Sequence, residues 1–523
     1  MFKVDGKYFL LFLAFIEGAS VMASELFGAK MIAPFFGSSL YVWAAVLGVT
    51  LFALMGGYYV GGYLSERKKE VKWLFWILML GGSLILVMPY TSIAIMKNFM
   101  DSSVQTGSTL SLMLFLFPPL FTMGMSSPMI INLINENVDQ SGKVAGKVYA
   151  ISTLGGIVGT FLTGFYLLPE LGMKWPCFGF GALMILVPLI GLLKLKVFKA
   201  AVFLLPLGLF SFMNAKPVKF ERGNIELIYA SEGILGQIRV YDMKFNTISR
   251  GEKNGRVLMV NNTAQTIHDV DNPTRDLWDY SYYFPTAASV YPPNSDVLLL
   301  GLGGGALLHH FNRLDFNTDV VELDQRIVDV AIQYFNVDPT TNIVVDDARR
   351  FINITEKKYD IIMMDLFHNE TPPGHVLTLE SFQRTKTLLK DGGMLMINFY
   401  GFMSGKEGRA ARSIVKTLES ANLQVEILPT PGNEGDRNLI FLAAPELPDF
   451  SKAHYHLDDL PDIENLPSKF IYKSTIDFSD AEILTDDRPL IEKLYLPAAL
   501  HWRKVSNKYN LKKLIVRDMY FFI

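Results

Sequence analysis

The sequence is short of cysteine and, over its first two hundred residues, of charge. Its one cysteine, Cys177, lies in an apolar stretch. A lone cysteine excludes an intrachain disulfide and fits a reducing compartment for the soluble part. A net charge of −3 over 523 residues excludes bulk attraction to nucleic acid. The first apolar stretch runs on past any small-residue cleavage site, which excludes a cleaved signal peptide and leaves a span. The shortage of charge is local. Asp, Glu, Lys and Arg are sparse before about residue 215 and ordinary after it. That division excludes a single soluble domain and predicts a membrane region followed by a soluble one.

A span needs roughly 20 mostly apolar residues. Six segments qualify, at 8–33, 38–63, 73–96, 108–134, 145–169 and 175–193. A seventh apolar run, 200–213, reaches only about 21 Å as a helix at about 1.5 Å per residue. It either lies in the interface or spans with help from its neighbours. Arg67, Lys68, Lys69, Lys72, Lys143, Lys147, Lys194, Lys196 and Lys199 fall on one side, against Lys30, Lys97 and Lys174 on the other. The N-terminus and the end of the sixth span are therefore expected in the cytoplasm. Two carboxylates sit inside the first span. Glu17 and Glu25 fall about 80° apart on a helix, and buried intramembrane carboxylates mark a pathway, a partner or a water-filled cavity. The pairs Gly57/Gly61 and Gly155/Gly159 have the spacing of close helix packing. MGMSSPM, around Pro128, is a candidate helix break, with Ser126 and Ser127 able to satisfy the freed backbone.

From about residue 217 the pattern changes to alternating, β-branched stretches, which predicts a small β-rich lobe. Strands and helices then alternate through DVLLLGLG, DVVELD, NIVVDDARRF, YDIIMMDLF and MLMINFYG. That order implies a doubly wound, mostly parallel sheet with its ligand beyond the carboxyl ends of the strands. Gly301, Gly303 and Ala306 fit G-x-G-x-x-A, and Glu322 stands 21 residues after Gly301, where a carboxylate accepts bonds from ribose hydroxyls. Asp346 and Asp347 close the third strand and Asp365 the fourth. Acids at successive strand ends suit a cationic ligand, a sulfonium or an amine, through Coulomb attraction.

These motifs resemble the aminopropyltransferases, spermidine synthase and its relatives, over most of 225–445. SEGILGQIRV is similar to the family's Ser-Pro-Tyr-Gln segment, with Gln237 in the ligand-contacting place. VLLLGLGGGA resembles the glycine loop, VELD the ribose-holding strand end, DDARRF the step near adenine with Asp346, Asp347 and Ala348, and YDIIMMD the strand ending in the catalytic acid, Asp365. A closer resemblance is to membrane-fused spermidine-synthase-like proteins, through the first two spans, PPGHVLT and LTDDRPLIE. The sequence departs from the soluble enzymes at Gly304, where they keep an acid for the amine, at His368, where they keep a second acid, and at Trp278 and Asp279. The nucleoside side is kept and the diamine side is rebuilt.

The resemblance implies an N-terminal α-helical multi-span membrane domain (1–215), a small β-rich lobe (216–270), a Rossmann-like catalytic domain of the class I methyltransferase type (271–500) and a basic, aromatic tail (501–523). It implies in-line displacement on decarboxylated S-adenosylmethionine, a co-substrate, with no prosthetic group and no metal. An amine attacks and methylthioadenosine leaves. Asp365 would be the general base, assisted by His375. Gln265, Tyr283 and His368 are candidates for the substrate. Two other readings stay open: an enzyme acting on S-adenosylmethionine itself, by another acceptor or by intramolecular attack releasing a lactone, and a transporter with an adenosyl-binding sensor domain. The expected partners are the lipid bilayer, the sulfonium and an amine, with a homodimer by analogy to soluble relatives. The expected location is a bacterial-type inner or plasma membrane with the catalytic domain cytoplasmic, because adenosyl sulfoniums are made there and the tail carries Arg503, Lys504, Lys508, Lys512, Lys513 and Arg517.

Overall fold

A computed structural model describes residues 6–37, 39–99, 102–135, 138–214, 221–222, 225–233, 235–247, 251–261, 263–366, 373–457, 463–488 and 490–513. The chain divides into two compact units. One comprises Met1–Lys219, Ala230–Gln237 and Tyr509–Ile523; the other comprises Phe220–Tyr229 and Ile238–Lys508. Three of the expected segments divide differently: 230–237, inside the predicted β lobe, groups with the helical unit; the rest of the described lobe shares a unit with the Rossmann-like domain; and the expected tail, 501–523, splits near residue 508.

The helical unit contains α1 (Lys7–Phe36), α2 (Leu40–Arg67), α3 (Val71–Phe99), α4 (Val104–Phe115), α5 (Phe117–Gly124), α6 (Ser126–Ile134), α7 (Ser141–Leu162), α8 (Leu168–Leu171), α9 (Lys174–Lys194) and α10 (Leu204–Asn214). Five helices are long and apolar enough to cross a membrane, and α4 with α5–α6 makes a sixth candidate bent by 50°. The outer surface carries Leu51, Tyr59, Phe161, Phe165 and Leu205 largely exposed. So broad an apolar surface is unusual for a soluble monomer and suits contact with lipid.

Glycines set the closest approaches. A Cβ on Gly18 would meet the Ser152 carbonyl oxygen at 1.9 Å, one on Gly155 the Phe15 carbonyl oxygen at 2.0 Å, and one on Gly159 the Ala19 carbonyl oxygen at 2.6 Å. The rising pairs 15/155 and 19/159 show that α1 and α7 run parallel. Gly57 and Gly61 of α2 meet Gly124 and Met125, at the junction of α5 and α6. The expected break in MGMSSPM is present there and admits α2. Ser126 Oγ has no hydrogen-bond partner, so it does not satisfy the freed backbone.

The seventh apolar run is longer than its sequence implied. A 3₁₀ turn over Phe198–Phe203 leads into α10. Six residues at about 2.0 Å and eleven at about 1.5 Å give about 28 Å, close to a hydrocarbon core of about 30 Å. Phe203 packs on Trp76 near the start of α3, whereas Phe210 packs on Tyr90, Trp175 and Phe178. The segment therefore runs back along α3, antiparallel to α9, and Asn214 ends on the face opposite Lys194. Lys30, late in α1, donates to the Gly233 carbonyl at 2.8 Å.

Next in the chain, β1 (Glu221–Arg222), β2 (Ile225–Gly233), β3 (Gly236–Thr247), β4 (Gly251–Val260) and β5 (Thr263–Asp269) form a five-stranded sheet in chain order, which belongs to the other unit except at residues 230–237. Then follow α11 (Tyr283–Ala288), β6 (Asp296–Leu300), α12 (Ala306–Arg313), β7 (Asn317–Glu322), α13 (Gln325–Tyr334), β8 (Ile343–Val345), α14 (Ala348–Ile354), β9 (Tyr359–Met364), α15 (Leu379–Thr387), β10 (Leu389–Tyr400), α16 (Arg409–Ser420), β11 (Gln424–Pro429), β12 (Asn438–Ala444) and α17 (Ile491–Lys513). The second sheet has the order β11-β12-β10-β9-β6-β7-β8. Only β12 runs antiparallel to its neighbours. This is a Rossmann-like sheet of the methyltransferase type, covered on both faces by apolar clusters. Its order reverses between β6 and β9, so the switch-point crevice lies beyond their carboxyl ends.

Candidate active site

The glycine turn leaves β6 at the switch point. Gly301 has φ +92°, and a Cβ there would come within 2.3 Å of the Asp365 carbonyl oxygen. Only glycine permits both that backbone and that approach. The Asp365 amide in turn donates to Leu300, and the Gly301 amide to Val321. The loop and the end of β9 are thus locked side by side. Gly303 is also left-handed, at φ +54°.

Glu322 closes β7. Its carboxylate accepts from the amides of Leu302 and Asp324, both at 3.0 Å. Burial pushes this carboxyl up, and the two backbone donors partly offset the shift. Asp346 bonds to the Asp347 amide and pairs with Arg350. Asp347 caps α14 by accepting from the Arg350 amide at 2.9 Å, and accepts from or pairs with His375 Nε2, also at 2.9 Å. Burial alone would raise Asp347, but the Arg350 amide and His375 outweigh it and hold the carboxyl below its ordinary range. Ala348 is buried in the first turn of the helix. His375 therefore stands on the Asp347 side of the crevice, where no bond to Asp365 is recorded.

Three motifs quoted from the sequence meet at one residue. Arg349, from DDARRF, donates to the His375 carbonyl and to Thr378 of PPGHVLT, and to Asp486 of LTDDRPLIE at 2.8 Å. Thr378 also donates to Asp486, at 2.6 Å. The late motif is thereby explained as a brace for the 373–378 segment.

Asp365 accepts from Asn398 Nδ2 at 2.7 Å, and Asn398 accepts from Asn438 Nδ2 at 2.8 Å. Burial raises the Asp365 carboxyl, and the Asn398 bond pulls it partly back. Tyr280 lies within electrostatic reach of Asp365, Asp276 and Tyr400; burial first, then these neighbours, push its phenol far above the ordinary range. It stays protonated and can donate a hydrogen bond. Tyr280 thus interacts with Asp365, and both it and the expected Tyr283 pack against the apolar cluster under β6.

Gln265 lies on β5, partly buried. Its neighbour Thr266 does more: its Oγ1 accepts from the Gly304 amide at 2.8 Å. A Cβ on Gly304 would meet Thr266 Cγ2 at 2.8 Å and Phe335 at 3.0 Å. The acid of the soluble enzymes is absent because its space is filled. Gln237 is buried and donates to Glu232 at 2.6 Å; both fall in the segment that groups with the helical unit. His368 lies outside the described residues. Among the described residues, no group of three His, Cys, Asp or Glu side chains could hold a metal. Thr266, Asp276, Asn398 and Asn438 were missed by sequence reasoning because none stands in a recognisable motif, and Tyr280 was passed over although it adjoins the divergent Trp278 and Asp279.

The crevice brings together a carboxylate at the end of β7, a glycine turn and the Asp365 carboxyl within electrostatic reach of the Tyr280 phenol. The spermine/spermidine synthase domain family matches residues 285–422, and this α/β unit carries a transferase domain of the spermidine synthase type. The chain is 28% identical over 235 residues to a polyamine aminopropyltransferase of Vibrio vulnificus, covering 40% of this chain and 76% of that one. It is 24% identical over 293 residues to a probable polyamine aminopropyl transferase of Bifidobacterium longum, covering 52% of this chain and 63%, less than two thirds, of that one. A crystal structure of a probable spermidine synthase from Corynebacterium glutamicum is similar at a TM-score of 0.38 and 18% identity, over 52% of this chain and 97% of that one.

Proposed function

We propose that the protein is a membrane-integrated aminopropyltransferase. It takes decarboxylated S-adenosylmethionine as co-substrate and transfers the aminopropyl group to an amine, releasing methylthioadenosine. The observation that carries this reading is Asp365, held by Asn398 beside Tyr280 and locked to the glycine loop by the Asp365 amide bond to Leu300. The sulfonium is already a good leaving group, so the protein has to position the amine and take its proton. An ordinary amine is protonated at pH 7. A carboxyl raised toward neutrality is a better proton acceptor from it than an exposed one. Glu322 and Asp347 supply ribose and adenine contacts in this reading.

The filled space at Gly304 supports a second reading, in which S-adenosylmethionine itself reacts and its own carboxylate displaces methylthioadenosine as a lactone. One assay separates them: purified protein is incubated with each sulfonium, with and without putrescine, and the products are identified. Methylthioadenosine formed only with an amine and the decarboxylated sulfonium supports aminopropyl transfer. Methylthioadenosine formed from S-adenosylmethionine without amine refutes it. Asp365→Asn is expected to abolish transfer.

We infer sidedness from the seventh segment. The supply of sulfonium favours a cytoplasmic α/β unit, as expected above. The antiparallel run of 198–214 along α9 instead supports an odd number of crossings, with lysine-rich loops cytoplasmic and the α/β unit on the opposite face. We adopt the latter; on that face, the sulfonium has to be carried across the bilayer.

A further inference from the structure

The helical unit contains a cavity of about 340 Å³ between α1, α2 and α7, lined by none of the residues assigned to transfer. Its floor is Glu17, which is 2% exposed and accepts from Ser152 Oγ at 3.1 Å. Its mouth is formed by Tyr58 and Tyr149, whose rings meet edge to face with centroids 6.5 Å apart. Thr153 and Thr160 add hydroxyls to the α7 wall, and Met22, Leu54 and Phe161 make the remainder apolar.

We propose that this cavity binds a protonated aliphatic amine. A carboxylate in an apolar bundle needs a countercharge, and the hydroxyls of Ser152 and Ser126 do not supply it. An ammonium group does, while hydroxyl oxygens accept its other N–H bonds. Tyrosine rings at the entrance attract a cation through their faces. The apolar walls suit a methylene chain. The volume lies at the lower end of small-molecule pockets. An anion is repelled by Glu17. A lipid chain leaves the carboxylate unpaired. A divalent metal finds too few ligands, since no group of three candidate side chains occurs among the described residues. The proposal is independent of the transfer reaction, because it uses none of the same residues.

The test is photolabelling of the full chain in lipid nanodiscs with a diazirine-bearing alkylamine, mapped by peptide mass spectrometry. Labelling is expected within 54–58 or 149–161. Putrescine should compete for it and 1-butanol should not. Glu17→Gln, a neutral isostere that keeps the cavity's shape, should reduce labelling at least tenfold, and Tyr58→Leu should reduce it severalfold. Size-exclusion profiles check that both variants fold. Both should still release methylthioadenosine at the wild-type rate, which separates this site from the catalytic one. Labelling confined to the α/β unit, labelling unchanged in Glu17→Gln, or equal competition by 1-butanol overturns the proposal.

Discussion

Replacing Asn398 with alanine should move the acid limb of the pH–rate profile upward. Asn398 Nδ2 lies 2.7 Å from Asp365 Oδ1 and, among the described residues, is the side chain that counters the effect of burial on that carboxyl. A hydrogen bond to a charged group contributes about 1.5–3 kcal/mol. At about 1.36 kcal/mol per pH unit, its loss displaces the limb by about one to two units. The direction is fixed by chemistry: a general base works deprotonated, and removing a donor to the anion favours the protonated form. Well below the displaced limb, the rate should fall by about 10- to 100-fold. Above it, the rate should recover toward wild type. Methylthioadenosine release, followed by chromatography from pH 5 to 10, reads both effects. A uniform loss at every pH with an unmoved limb would refute Asp365 as the titrating base.

Other perturbations follow from the same geometry. Gly304→Asp should abolish sulfonium binding in calorimetry without conferring putrescine use, because its Cβ meets Thr266 and Phe335; pairing it with Thr266→Gly should restore part of the binding. His268 is buried beside His309 and Phe335, and burial, more than neighbouring His309, lowers its pKa to about 3. Because the folded ring stays neutral while the unfolded one protonates below about 6.5, stability should fall by about 1.4 kcal/mol per pH unit on acidification from there toward pH 3; His268→Leu should flatten the decline in thermal unfolding, and an unchanged slope counts against the reading. Sidedness can be read with single cysteines, since native Cys177 is buried: cysteines at Lys7 and at Glu446 should react with an impermeant thiol reagent from opposite faces of the membrane, and labelling from one face rejects the seventh crossing.

Much of the fold was legible because its signals are local. The glycine turn reads correctly from LLLGLGGGA, since positive φ at Gly301 and Gly303 is a property of two adjacent turns. The β-α alternation gives the parallel strands, and Glu322, Asp346, Asp347 and Asp365 fall at their ends because strand ends are visible as the last residue of an apolar run. The 198–214 segment was undercounted mainly because the structure adds residues 198, 199 and 214 to the apolar run, and secondarily because its 3₁₀ turn rises farther per residue than an α-helix does. Asn398 and Asn438 were illegible for another reason. They reach Asp365 through the pairing of β9, β10 and β12, a relation between segments tens of residues apart that no local pattern encodes.

Gly304 looks like a deletion when the sequence is read alone, and the structure turns it into an exchange. Thr266 takes the room that an acid would need and uses its hydroxyl to fix the loop amide. An acid placed at Gly304 therefore meets Thr266 and Phe335 unless β5 also makes room. Asp276, buried and bonded to the Trp278 amide at 3.0 Å, acts on Tyr280 from the same segment as the divergent Trp278 and Asp279. Tyr280 thus feels two carboxylates, Asp365 and Asp276, and burial keeps its proton in place. A cationic acceptor entering there meets a phenol backed by both acids, in place of an acid carried on the glycine loop itself.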